Sequence, residues 1–300
     1  MRFRSLIVVA LLGALVPPGA AQAKVRVAAS INDLASIASS VGGDEVEAFS
    51  IARPNADVHH VEVLPSYMVK VSRAQIYLKV GLMLDQWADG IIDGSRNERL
   101  ATVDCSQGIP VLEKPTGKVT ALMGDVHPDG NPHYWLDPRN GGIVARTIAD
   151  ALAKADPSHA AEYHARAEAF AKSAEEAWNQ SKAVADKLPS KTLFTYHKSW
   201  VYFGNAFGLD IIGEAEPVPG IPPTAKHLAE LVDIAKSRKV PVFLQEPYFS
   251  DDAGRFLTRE AGMRVVVMSP SCDAPTAGSY LTHFHDVVNA LATAGSGQTP

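Results

Sequence analysis

The sequence of 300 residues predicts an α/β protein of two lobes with mainly parallel sheets, joined by one long rigid helix. Three observations predict it. Short β-rich runs alternate with helical patterns, which is the signature of α/β folds. One stretch without glycine, Ser158 to Leu188, is rich in Ala, Glu, Lys and Gln and lies mid-chain. The alternation then resumes after Pro189, and a chain of this length fits one large domain or two of ordinary size.

The first residues read as an export leader. Arg2 and Arg4 give a basic start, Leu6 to Val16 is apolar, and Ala21-Gln22-Ala23 is a small-x-small cleavage site. The apolar run is too short for a span, which needs about 20 residues. A signal peptide over 1–23 predicts a protein released into the periplasm. No cysteine follows the cleavage site, so no lipid anchor is expected, and no second apolar stretch long enough to span a membrane follows, so the mature chain is expected to be soluble.

Val25 to Ala29 reads as a strand, and a helical segment from Asn32 stops at Gly42-Gly43. Val46 to Ile51 is a second strand, and Pro65 to Ala74 a helix with proline in its first turn. Ile76 to Val80, Leu84 to Ile92 and Leu100 to Val103 read as strand, helix and strand. From Gly141 to Leu188 the composition turns helical, interrupted at Asp156-Pro157-Ser158. A helix from Ser158 to Leu188 would span about 45 Å and serve as the spine between lobes. Beyond it, Leu193 to Tyr196, Asp210 to Ile212, Val242 to Leu244 and Arg264 to Met268 read as strands. Thr224 to Ser237, Asp251 to Ala261 and Ala277 to Leu291 read as helices, and the tail from Ala294 should fray. The expected organisation is an N-terminal lobe over 24–157, a linking helix over 158–188 and a C-terminal lobe over 189–293.

Charge narrows the partners. Loss of Arg2 and Arg4 takes the formal charge from −5 to −7, which argues against nucleic acid, since phosphate binding needs a basic face. Cys105 and Cys272 are an even pair in an oxidising compartment, where a disulfide is expected. There is no Gly-x-Ser-x-Gly elbow, no phosphate loop and no His-Glu-x-x-His helix, so the common hydrolase signatures are missing.

Chemistry concentrates in the histidines. His59 lies in a loop after the second strand, His133 in a loop stiffened by Pro132 and Pro138, and His197 directly after a strand. Loops at the carboxyl ends of strands are where open α/β sheets bind ligands. Three separated imidazoles in such contexts point to one Zn²⁺, which favours four-coordinate sites with nitrogen about 2.0–2.1 Å away. A carboxylate in the fourth position makes a closed carrier site; a water makes a hydrolase, the alternative reading, with Glu246 or Glu62 as base. His159 and His164 read as surface residues, and His283 and His285 diverge on a helix.

Three blocks carry a resemblance: Asp57-Val-His59-His60-Val-Glu62-Val-Leu-Pro65-Ser66, then Asn131-Pro-His133-Tyr-Trp-Leu-Asp137-Pro138, then His197 through Gly208-Leu209. Over nearly the whole mature chain these are similar to the zinc/manganese-type substrate-binding proteins of ABC importers, the cluster A-I family. The first block departs from that family's pattern by losing a proline and an aromatic. The resemblance implies one Zn²⁺ per chain as transported ligand, a permease of the inner membrane as partner, a periplasmic metallochaperone as a further partner, and a monomer. It implies His59 and His133 from one lobe and His197 from the other. The family's usual fourth ligand, an aspartate, is here Ser269, a poor zinc ligand. Asp273, four residues on, is the expected substitute and Glu246 the next. Asp125, His127 and Asp129 form a short metal-facing loop, His60 an accessory position, and Glu62 a partner orienting His59. Three imidazoles favour zinc over manganese, which prefers more oxygen ligands; a manganese-binding relative is the remaining alternative.

Overall fold

The computed structural model describes residues 23–117, 119–120, 123–124 and 127–296. The expected leader apart from Ala23, Asp125 and residues 297–300 lie outside these. Among the described residues, eight strands make two parallel four-stranded sheets, β1 to β4 in the order β2-β1-β3-β4 and β5 to β8 in the order β6-β5-β7-β8. The first comprises β1 (Val25–Ala29), β2 (Val46–Ser50), β3 (Ile76–Lys79) and β4 (Ala101–Asp104). The second comprises β5 (Thr192–Thr195), β6 (Asp210–Glu214), β7 (Val242–Gln245) and β8 (Arg264–Val267). In each sheet the strand order reverses beside the first strand, which opens a crevice at the carboxyl ends.

Three helices serve the first sheet: α1 (Asn32–Gly42), α2 (Pro65–Val71) and α3 (Trp87–Ser95). Then come α4 (Pro138–Ala155) and α5 (Ala160–Ala185), and in the second lobe α6 (Val201–Phe207), α7 (Ala225–Arg238), α8 (Asp252–Ala261) and α9 (Ser279–Gly295). Local chemistry sets the ends. Pro138 occupies the first turn of α4, and the Asp137 carboxylate accepts the Arg139 N–H. Thr224 caps α7 through the His227 N–H. No helix among the described residues is long and apolar enough to cross a membrane.

The long helix lies between the two lobes but is shorter than expected. Pro157–His159 forms a separate 3₁₀ turn, so α5 starts at Ala160 and runs 26 residues, about 39 Å. It also has a partner. Helix α4 packs along it, and Gly142 sits where a Cβ would stand 3.1 Å from the Ala171 Cβ of α5. The spine is therefore a helical hairpin. At the chain's end α9 continues to Gly295, beyond the point where fraying was expected.

The two cysteines correct another expectation. Both are free and buried. Cys105 follows β4 near Asp104 and Asp85, while the Cys272 thiol donates to the Ala274 carbonyl at 3.4 Å.

One apolar core runs through both lobes, with Leu78, Trp135, Phe170, Leu244 and Tyr280 among its members. Two of its polar side chains bond across the lobe boundary. Trp135 donates its indole N–H to Pro270 O at 2.8 Å, and the Tyr280 hydroxyl donates to Trp135 O at 2.7 Å. The strap before α9 lies on α1: Ser36 and Ser39 donate to Thr276 O and Pro275 O at 2.6 and 2.7 Å. Asp33 of α1 is wholly buried under this strap and accepts the Cys272 N–H at 3.2 Å.

Burial pushes the Asp33 carboxyl up to about 7, against the pull of its hydrogen bonds. An unfolded aspartate titrates near 3.9. Between those values the folded chain holds a proton that the unfolded chain has lost, so this group loses stability as pH rises from about 4 to 7. The buried His283, pushed down by burial to about 4, has the opposite slope below about 6.5. We predict that Asp33→Asn gains stability relative to wild type as pH is raised from 4.5 to 7 and gains no more above it. Urea midpoints at four pH values check this; a constant difference across the range contradicts it.

Candidate metal centre

Two loops of the first lobe build the same device. In Asp57-Val-His59 and in Asn131-Pro-His133 an oxygen-bearing side chain stands two residues before an imidazole. Asp57 Oδ1 accepts the His59 backbone N–H at 2.9 Å and faces its Nδ1 at 2.8 Å. Asn131 Oδ1 does the same for His133, at 3.0 Å to each. Short side chains of this type bond their own backbone two residues on, which fixes the turn. Here the same oxygen also fixes the ring. In the second lobe His197 leaves the end of β5, and its Nδ1 lies 2.6 Å from Glu216 Oε2. Carboxylate and amide oxygens accept, so each Nδ1 carries the proton and each Nε2 keeps its lone pair.

These lone pairs meet. The three rings have centroid separations of 5.0, 5.1 and 5.6 Å, and one nitrogen from each lies within 4.8 Å of the others. The Nε2 atoms of His59 and His133 are buried with no hydrogen-bond partner among the described residues. Leaving such an atom unpaired costs about 1–3 kcal/mol. A cation with tetrahedral preference, shared by all three, answers that cost with the ligands it favours.

The electrostatics suit a cation. Burial, with the neighbouring imidazoles, pushes His133 well below its usual range, so it stands neutral and ready to donate. Burial also lowers His197, but the Glu216 carboxylate and the charge of Glu246 outweigh it and raise the ring. Burial would raise Asp57, yet the bond from His59 holds it low, so it remains an acceptor. Glu246 follows β7 and is fully buried; its Oε1 accepts from Ser199 at 2.8 Å and Trp200 at 3.0 Å, and its Oε2 has no partner among the described residues. Burial brings that carboxyl up to about 7 against the charge of His197.

The other expected site residues divide. His127 joins the group: its ring stacks on His59 at 5.5 Å, its Nε2 is buried and unpartnered among the described residues, and burial lowers it to about 4. It stands in the walls of two hollows. One, of about 120 Å³, is lined by Glu113, His133, His197, Lys198 and Pro219; the other, of about 280 Å³, by His59, His60, Met83 and Trp87. His60 is exposed, 6.3 Å from the His59 ring. Glu62 and Asp129 are exposed, and Asp57 holds the place beside His59 expected of Glu62.

Asp273 does not join the three nitrogens. Its side chain is exposed and lines a separate hollow with Arg53, Tyr67 and Lys70. The reason is the path of the preceding loop. Trp135 holds Pro270 O and Asp33 holds the Cys272 N–H, which ties this loop to α1. Ser269 donates to Pro54 O at 2.5 Å, so it pins the His59 loop. Sequence reasoning missed Glu216, for which no local signal exists, and the orienting roles of Asp57 and Asn131, which the repeated Asp/Asn-x-His spacing signals.

Residues 27–294 match the family model described as zinc-uptake complex component A, periplasmic. The iron-binding protein YfeA of Yersinia pestis is 26% identical over 307 residues, covering 99% of this chain and 94% of that one. The high-affinity zinc uptake system protein ZnuA of Brucella abortus is 30% identical over 138 residues, 46% of this chain and 41% of that one. A crystal structure of ZnuA superposes with a TM-score of 0.79 at 26% identity, covering 91% of this chain and 99% of that one.

The geometry separates the two aspartates. Asp57→Ala frees the His59 ring and should weaken divalent-cation binding about 10–100-fold. Asp273→Ala should leave it within about twofold, as expected for an exposed group away from the nitrogens. Calorimetric titration of both variants checks this; equal losses contradict it.

Proposed function

Because the chain belongs to the family of periplasmic zinc-uptake component A proteins, the metal-binding solute-binding proteins of ABC importers, we propose that it captures one Zn²⁺ and delivers it to an inner-membrane permease. Such proteins are carriers, and the hydrolase alternative falls with that membership. The observation that carries the zinc reading is the set of three inward imidazoles, each with its Nδ1 held by an oxygen.

His59, His133 and His197 supply three ligands, and His127 is poised for the fourth position in place of Asp273. An all-imidazole set favours zinc over manganese, whose preference is for oxygen. The relatives bear on this in both directions, since one is named for iron and another for zinc. Affinity order alone would rank copper higher still, so supply in the compartment also enters. The remaining parts of the reading are a leader over 1–23 cleaved on export, lobes over 24–157 and 189–293, action as a monomer in the periplasm, and loading by a metallochaperone.

Metal analysis of the chelator-stripped and reloaded chain should return one zinc per chain, with zinc displacing manganese. His133→Ala should lose binding by more than about a hundredfold, and His127→Ala by less than that. Manganese held against equimolar zinc overturns the specificity. Imidazole binds a metal only when neutral; burial lowers His197 but the Glu216 and Glu246 carboxylates raise it overall, so zinc affinity should weaken as pH falls through and below that raised range. A titration flat from neutral to pH 5 contradicts a three-histidine site.

A further inference from the structure

One part of the second lobe has no role in the reading so far: the turn after β6. Glu216 follows that strand, its N–H still paired with Tyr196 O at 3.0 Å. The chain then reverses, closed by the Ile221 N–H on Val218 O at 3.0 Å. Pro217, Gly220 and Ile221 are exposed. Gly220 holds φ +79°, a conformation that glycine adopts readily and other residues avoid. Its N–H donates to Glu216 Oε2 at 3.0 Å. That oxygen is the one 2.6 Å from His197 Nδ1. Glu216 is only 7% exposed, so one buried oxygen links a surface turn to a metal-facing ring.

The same turn borders the site. Pro219 lines the 120 Å³ cavity beside His133 and His197. Its carbonyl also approaches the first lobe so closely that a Cβ on Gly124 would stand 2.1 Å from it.

We propose that Glu216 is a positioning residue that couples the Val218–Ile221 turn to His197, so that the state of the turn sets how fast the bound cation leaves. The proposal rests on the metal-site reading above. With the turn closed, Gly220 and His197 together hold the carboxylate, and the carboxylate holds the imidazole plane. With the turn open, the carboxylate loses one of its two anchors and the ring gains rotational freedom. The coupling runs both ways, as linkage requires. A cation on Nε2 makes the Nδ1–H a better donor, tightens its bond to Glu216 and thereby favours the closed turn.

The test is zinc release from the full chain into excess chelator, followed by stopped flow, beside an equilibrium zinc titration. Gly220→Ala strains the turn and removes no ligand; release should quicken at least about threefold. Glu216→Gln weakens both bonds, and release should quicken about tenfold or more. The double variant should release no faster than Glu216→Gln alone, since the two changes act through one oxygen. Gly220→Ala releasing at the wild-type rate overturns the coupling, as do effects that multiply in the double variant. If Glu216→Gln lowers the thermal midpoint, the Gly220→Ala comparison decides. A wild-type chain that takes up no zinc overturns the metal-site reading itself, which the equilibrium titration detects separately.

Discussion

Three imidazoles face one another across a lobe boundary with their other nitrogens already bonded to oxygen. That arrangement is unfavourable by itself. Three lone pairs converge on one point, and burial makes the proton a weak competitor for them at His133. The remainder of the molecule can be understood as what it takes to hold this arrangement in place. Asp57 and Asn131 do it locally, within two residues of their histidines. Glu216 does it across 19 residues.

Holding two lobes in register is the larger demand, since a ring displaced by an ångström no longer shares the ion. The structure meets it with a continuous apolar core in place of a free linker. Trp135 and Tyr280 bury their rings in that core and use their polar ends to cross between the lobes. Tyr280 packs onto Gly141, where a Cβ would stand 2.5 Å away, so α4 and α9 lie in direct contact. A joint of this kind resists wide hinge opening, which leaves loops and turns as the parts that can move cheaply.

Much of this was legible in the residues. Strands β1, β2, β3 and β7 are short apolar runs bounded by turn-formers, and each was found within one or two positions. The histidines were legible because imidazoles at strand ends are costly to place without purpose. Asp273 was expected from nearness in sequence, whereas its side chain is exposed and lines a separate hollow; the loop before it is tied to α1 through Asn32 and Asp33, contacts that no local pattern records. Glu216 was invisible for the same reason. The cysteines were paired by compartment chemistry, whereas both thiols are free and buried in the core. The length of α5 was overread at both ends: Ser158 and His159 belong to the 3₁₀ turn that Pro157 opens, and the helix stops at Ala185.

The strap over α1 has a consequence for how the chain becomes functional. Ser36 meets Thr276 and Asn32 meets Cys272, partners 240 residues apart in sequence. Until that strap arrives, Asn32, Ser36 and Ser39 of α1 lack their carbonyl partners, and Trp135 lacks the Pro270 carbonyl that accepts its indole N–H. A chain delivered N-terminus first therefore presents His59 and His133 long before the clasp that aligns them with His197 exists. Contacts of such sequence separation slow folding. Metal capture is thus a property of the finished molecule, and an ion met by the emerging chain finds only isolated imidazoles.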